Sequence, residues 1–237
     1  MCSRIGTIVK HQHGKCTARK LTCRSWSCPD CAKWRRKRLV AEALSGKPNR
    51  FITLTVNPAW FDGPIERAEK LVLAWRWFVK KWRRHHPGQT GEFLAVFEAT
   101  KRGEPHLHIV WRGGWVKQND LREHFLKHMG APVQDVRYIK GGQQVAEYVT
   151  KYISKRNIKF GSLKRYWRST RYLKESNAAR RRRLNVGARF FVLDMSLGAY
   201  VAFLDEKGHD LRPTKSGAFE FDYPPWLPAP PCCLLAE

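Results

Sequence analysis

The sequence predicts an α+β protein: an antiparallel central sheet with flanking helices, preceded by a small N-terminal segment that binds zinc. Three observations carry this. Strand-like and helix-like runs follow one another as β, α, β, β, α, β, an order that suits an α+β sandwich better than a doubly wound parallel sheet. The stretch KRGEP at 101–105 joins EFLAVFEA to HLHIVW by a turn too tight for a parallel pair. Five of the seven cysteines fall before residue 48, in a chain with no sign of export, where metal ligation is a better use of thiols than disulfides.

The cysteine-rich part reads CTARKLTCRSWSCPDCAKWRR. Cys28 and Cys31 form a CPDC knuckle with Cys16 and Cys23 upstream, and four such thiols make a tetrahedral structural zinc site. The first spacing is loose for that role, so His11, His13 or Cys2 stand as substitutes for Cys16, and buried thiols without metal are the alternative to any site. Next, FITLTV is a β-rich run. Asp62, Gly63 and Pro64 open a helix whose apolar stripe runs Ile65, Ala68, Val72, Trp75, Val79, Trp82 and packs inward.

EFLAVFEA and HLHIVW follow as paired strands. In the second, His106, His108 and Val110 share one face and Leu107, Ile109 and Trp111 the other, which sets the imidazoles about 7 Å apart along the strand. Paired histidines also occur on solvated strands, so the pair alone does not define a site. Glu98, near the end of the preceding strand, is placed to complete a His, His, Glu set, which suits Mg²⁺ or Mn²⁺. On its own Glu98 reads equally as a surface carboxylate.

Asn119 and Asp120 are candidate caps for the helix NDLREHFLKHM, DVRYIK reads as a strand, and GGQQVAEYVTKYISK as a helix entered through two glycines. That helix repeats the unit YxxK. Tyr148 and Tyr152 lie four residues apart on one face, with Lys151 and Lys155 a turn further on. A phenol with its usual pKa near 10 needs nearby positive charge or a metal-polarised phosphate before it attacks. The alternative is a pair of packing residues. RFFVLDM and AYVAFLD read as later strands, AARRRR at 178–183 as a solvated face or a phosphate-binding loop, and the proline-rich DYPPWLPAPPCCLLAE as a tail. The expected divisions are 1–48, 49–205 and 206–237.

Composition narrows the partner. Lys and Arg number 45 against 20 Asp and Glu, a net charge of +25, so the expected ligand is a polyanion bound through phosphate neutralisation. Aromatics interleave with the basic residues, as in SLKRYWRSTRY, and make base stacking available. No apolar run is long enough for a bilayer and none resembles a secretory signal, so no membrane partner and a cytoplasmic location are expected.

FITLT, GEPHLHIVW and EYVTKYISK, in this order, resemble the three motifs of the HUH endonucleases, specifically the rolling-circle replication initiators. The double-tyrosine helix is similar to that of microvirus replication proteins and related plasmid initiators, and the resemblance covers roughly residues 50 to 170. It implies a ferredoxin-like palm. His106, His108 and Glu98 would hold the divalent cation and Tyr148 and Tyr152 would be nucleophiles. Lys151 and Lys155 would steady phosphate or phenolate, and Thr53 and Thr55 would lie in the first motif. It implies nicking of single-stranded DNA at a replication origin, leaving a 5′-phosphotyrosyl bond and a 3′-hydroxyl for a host polymerase, in a bacterial host cytoplasm. No GxxxxGK[ST] loop occurs, so a host helicase would unwind the duplex. A transposase or relaxase of the same superfamily is the nearest rival. A non-enzymatic zinc-knuckle protein that binds single-stranded nucleic acid is the rival of another class.

Overall fold

Two antiparallel sheets organise the chain, where the sequence predicts one. In the computed structural model, which describes residues 6–131, 134–154 and 159–222, the elements in chain order are β1 (Thr7–Gln12), β2 (Lys15–Lys20), α1 (Pro29–Ser45), β3 (Arg50–Leu54), α2 (Gly63–His85), β4 (Gly91–Ala99), β5 (Pro105–Gly113), α3 (Gln118–Met129), β6 (Asp135–Tyr138), α4 (Gly142–Ser154), β7 (Tyr166–Arg168), α5 (Asn177–Leu184), β8 (Arg189–Leu193), α6 (Leu197–Glu206), β9 (Arg212–Pro213) and β10 (Phe219–Asp222). They fall into a terminal unit, Met1–Lys33 with Asn177–Glu237, and a central unit, Trp34–Ser176. These limits differ from divisions at 48 and 205. The physical reason is strand pairing between distant segments: β1 pairs with β8 and β2 with β10.

The central sheet has the order β6-β3-β5-β4-β7. Alternation along its strands separates two faces. One carries Ile52, Leu54, Phe93, Ala95, Phe97, Leu107, Ile109 and Trp111, all buried against α2 and α3. The predicted stripe of α2 supplies Ala68, Val72, Trp75, Val79 and Trp82 to this core, while Ile65 in its first turn is 49% exposed. Trp75 and Trp82 meet Trp111 edge-on, with ring centroids 5.9 and 5.0 Å apart, an arrangement favoured by the ring quadrupoles. The opposite face carries Thr53, Val96, Glu98, His106, His108 and Val110 and receives α4.

The turn after β4 fixes the register. Thr100 N–H donates to the Glu104 carbonyl at 2.9 Å and Gly103 N–H to the Thr100 carbonyl at 3.0 Å. Gly103 sits at φ 84°, a left-handed conformation that glycine adopts without steric cost. Glu98 is therefore directly opposite His106, and Val96 opposite His108. On the other side β5 sets Thr53 of β3 opposite His108. α3 begins one residue before the expected caps: Lys117 is its N-cap, and Asn119 and Asp120 lie within the first turn.

The terminal sheet runs β8-β1-β2-β10-β9 around Val9, Cys16, Ala18, Leu193, Tyr200, Leu204 and Phe221. RFFVLDM forms β8 largely as expected. AYVAFLD does not form a strand; it lies in α6, where the Ser196 hydroxyl accepts from Ala199 N–H at 3.1 Å. Tyr200 and Leu204 are buried one helical turn apart, so a short apolar run was resolved by its cap and by period 3.6 rather than 2. AARRRR lies in α5. The proline-rich tail from residue 223 and Lys155 lie outside the described residues, and among those described no helix is long and apolar enough to cross a membrane.

Candidate functional site

The site is built on the sheet face left free by the core. His108, buried at 4% exposure, is its centre. Its Nε2 lies 2.7 Å from Glu98 Oε2. Register puts Glu98 opposite His106, but a glutamate is long enough to reach the diagonal neighbour. A carboxylate only accepts, so neutral His108 donates from Nε2 and its Nδ1 is left as an acceptor. Two hydroxyls surround that nitrogen: Tyr148 Oη at 3.2 Å and Thr53 Oγ1 at 3.3 Å. The two hydroxyls are 3.2 Å from each other.

Helix α4 brings both tyrosines to this imidazole. It is entered through Gly141 and Gly142, with Gln144 Oε1 accepting from Lys140 N–H at 2.9 Å. Four-residue spacing then sets both rings on the sheet side, above Leu94, Val96, Val110 and Val149. Tyr148 stacks on Phe51 at 4.0 Å and Tyr152 on His108 at 3.5 Å, interplanar angle 17°. The tyrosine rings are 4.6 Å apart. Burial is the main force that pushes the Tyr148 phenol well above its ordinary range, opposed by the hydrogen bond to Thr53, because a phenolate loses more by leaving water than a phenol does. Tyr172 is pushed up too, again by burial, with its hydroxyl donating to the Ala43 carbonyl at 2.7 Å. A raised phenol alone therefore marks no site; the imidazole and carboxylate beside Tyr148 set it apart.

His106 shares the face with His108, ring centroids 6.3 Å apart, and is partly exposed. Its imidazole, the His108 imidazole and the Glu98 carboxylate form a nitrogen, nitrogen, oxygen donor set of the kind Mg²⁺ or Mn²⁺ accepts. The set is open rather than gathered. Among the described residues, Cys23, Cys28 and Cys31 are the one trio of such side chains whose ligand atoms all lie within 4.8 Å of one another. Lys151 is exposed, its Nζ 5.5 Å from the centroid of the Tyr152 ring. Thr53 is the residue whose part was not read from the sequence; its place opposite His108 in the β3 and β5 alternation was the available signal.

All six of Thr53, Glu98, His106, His108, Tyr148 and Tyr152 lie in one segment. Residues 49–157 match the family model described as replication-associated protein ORF2. That match supports a replication initiator of the Rep kind, acting on DNA in replication. No curated protein and no solved structure matches the chain.

In the terminal unit the cysteine trio could hold a metal. Cys23 Sγ and Cys31 Sγ are 3.5 Å apart, too far for a disulfide and near the roughly 3.8 Å expected between thiolates around a tetrahedral zinc. Cys16 is not with them. It is fully buried in β2, opposite His11 and Phe221, so β-pairing turns its thiol into the apolar core of that sheet. His11 and His13 are outside the trio, and Cys2 lies outside the described residues.

Proposed function

We propose that the protein is a rolling-circle replication initiator of the two-tyrosine HUH endonuclease type, similar to microvirus replication proteins and related plasmid initiators. It nicks single-stranded DNA at a replication origin. The observation that carries this reading is the placement of both tyrosines of one helix on His108, an imidazole oriented by Glu98, inside the segment that matches a replication-associated family. A non-enzymatic strand-binding protein has no use for that convergence.

His106, His108 and Glu98 would hold Mg²⁺ or Mn²⁺, which when bound supplies polarisation of the scissile phosphate. The chain's own groups do the rest. The Tyr148 or Tyr152 oxygen attacks phosphorus, the bond to the 3′ oxygen breaks, and the phenol's proton is balanced by the one taken up by the leaving 3′-hydroxyl. His108 Nδ1 and Thr53 orient the Tyr148 hydroxyl. Lys151 places a positive charge beside Tyr152, and Lys155, one turn on, would do the same for the phosphate. Because a phosphodiester is exchanged for a phosphotyrosyl ester, the reverse attack rejoins the strand without ATP. Two nucleophiles let one hold the old 5′ end while the other opens the regenerated origin. The 3′-hydroxyl serves a host polymerase, a host helicase opens the duplex, and the bacterial cytoplasm holds both.

The test is direct. Purified protein incubated with origin-bearing single-stranded DNA and Mn²⁺ should give a protein–DNA adduct that survives boiling in detergent and disappears on protease treatment. Strand cleavage with no adduct would point to hydrolysis instead, and the reading would fail.

The trio Cys23, Cys28 and Cys31 is proposed to hold a structural zinc that ties the segment after β2 to the start of α1. Elemental analysis should find about one zinc per chain, falling to near zero in Cys28→Ser and retained in Cys16→Ser. Zinc that survives Cys28→Ser would place it elsewhere.

A further inference from the structure

Helices α2 and α3 cover the core face of the central sheet, and the candidate tyrosine site is on the other face. Along their outer surface runs a groove of about 940 Å³. Lys80, Lys81 and Arg84 of α2 border it, with Lys117 and Lys127 from α3 and its N-cap. All five are exposed. The carboxylates there are Asp120 and Glu123, so the cations outnumber them and the complementary occupant is a polyanion.

The groove also has rings. Trp77 is 47% exposed, its ring 5.4 Å from that of His128, which in turn is 4.6 Å from His124. His124 is tied down by its Nε2, which donates to the Ala74 carbonyl at 2.9 Å. Burial holds that imidazole below its ordinary range, so it serves as a neutral ring. An open indole flanked by lysines offers a base a surface to stack on and its phosphates a counter-charge. Duplex DNA presents the phosphates and hides the base faces.

We propose that the α2 and α3 groove is a second binding site for single-stranded nucleic acid, holding a stretch of strand on the side of the sheet opposite the tyrosines. The proposal goes beyond the nicking reading and does not rest on it, because binding is measured without cleavage.

Fluorescence anisotropy on the full chain, with a labelled oligothymidylate of about thirty nucleotides and a duplex of equal length, tests it. Trp77→Ala should weaken single-strand binding about 5-fold or more while leaving duplex binding within about 2-fold. The combined variant Lys80→Glu, Lys81→Glu, Lys127→Glu should weaken binding and reduce the salt slope for the single strand by about two. Parent-like single-strand affinity in both would overturn the proposal, as would equal losses on strand and duplex in Trp77→Ala. If the parent forms no adduct yet these losses occur, only the nicking reading falls. If adducts form but binding is unmoved, only the groove falls.

Discussion

Replacing both Tyr148 and Tyr152 with phenylalanine should abolish the covalent adduct, a loss on the order of 10³-fold or more, as for removal of a nucleophile. Phenylalanine keeps the rings that stack on Phe51 and His108 and removes only the hydroxyls. The fold should therefore lose about 1 kcal/mol per hydrogen-bonded hydroxyl, visible as a small drop in melting temperature. The single variants should differ. The Tyr148 hydroxyl is buried between Thr53 and His108 and its proton is held tightly, so attack by this residue should quicken as pH rises. Tyr152 lies flat on His108 with Lys151 nearby. One single variant should slow the first nick and the other the terminating one, separable on a substrate with two origins. Adducts persisting in the double variant would mean that other side chains attack.

The central sheet was legible because its signals are local. KRGEP had to be a hairpin, the hairpin fixed Glu98 opposite His106, and alternation fixed which side His108 faces. What register does not give is the choice a long side chain makes between two neighbours, and Glu98 reaches for His108. The terminal sheet was illegible for the opposite reason. Thr7 pairs with Leu193, and nothing in either local run announces a partner so far along the chain. Cysteine spacing misled in the same way. Cys16 stood at a permissible distance from the knuckle, but burial in β2 is a property of pairing with β10, and spacing carries no information about it. AYVAFLD was ambiguous at source, since a short apolar run fits a strand or a buried helix until its cap is weighed.

His108 should be the least replaceable of the candidate ligands. His108→Ala would remove the partner of Glu98, the acceptor beside Tyr148 and the surface under Tyr152 at once. It would also leave a carboxylate, itself little exposed, without that partner, at a cost of about 3 kcal/mol. Loss of activity in that variant alone would be hard to separate from loss of fold. His108→Asn fills more of the space and keeps a hydrogen-bonding head, and it should still lower adduct formation on the order of 10²-fold or more, with single-strand affinity changed by less than about 2-fold. Affinity survives because the net charge of +25 is spread over the whole chain, so no single neutral ring sets it. His106→Ala, at a partly exposed position, should give the same split with little loss of stability. If strand binding collapses with cleavage in both folded variants, these imidazoles position DNA or hold the sheet together. The face they share would then be a binding surface on which the tyrosines merely pack.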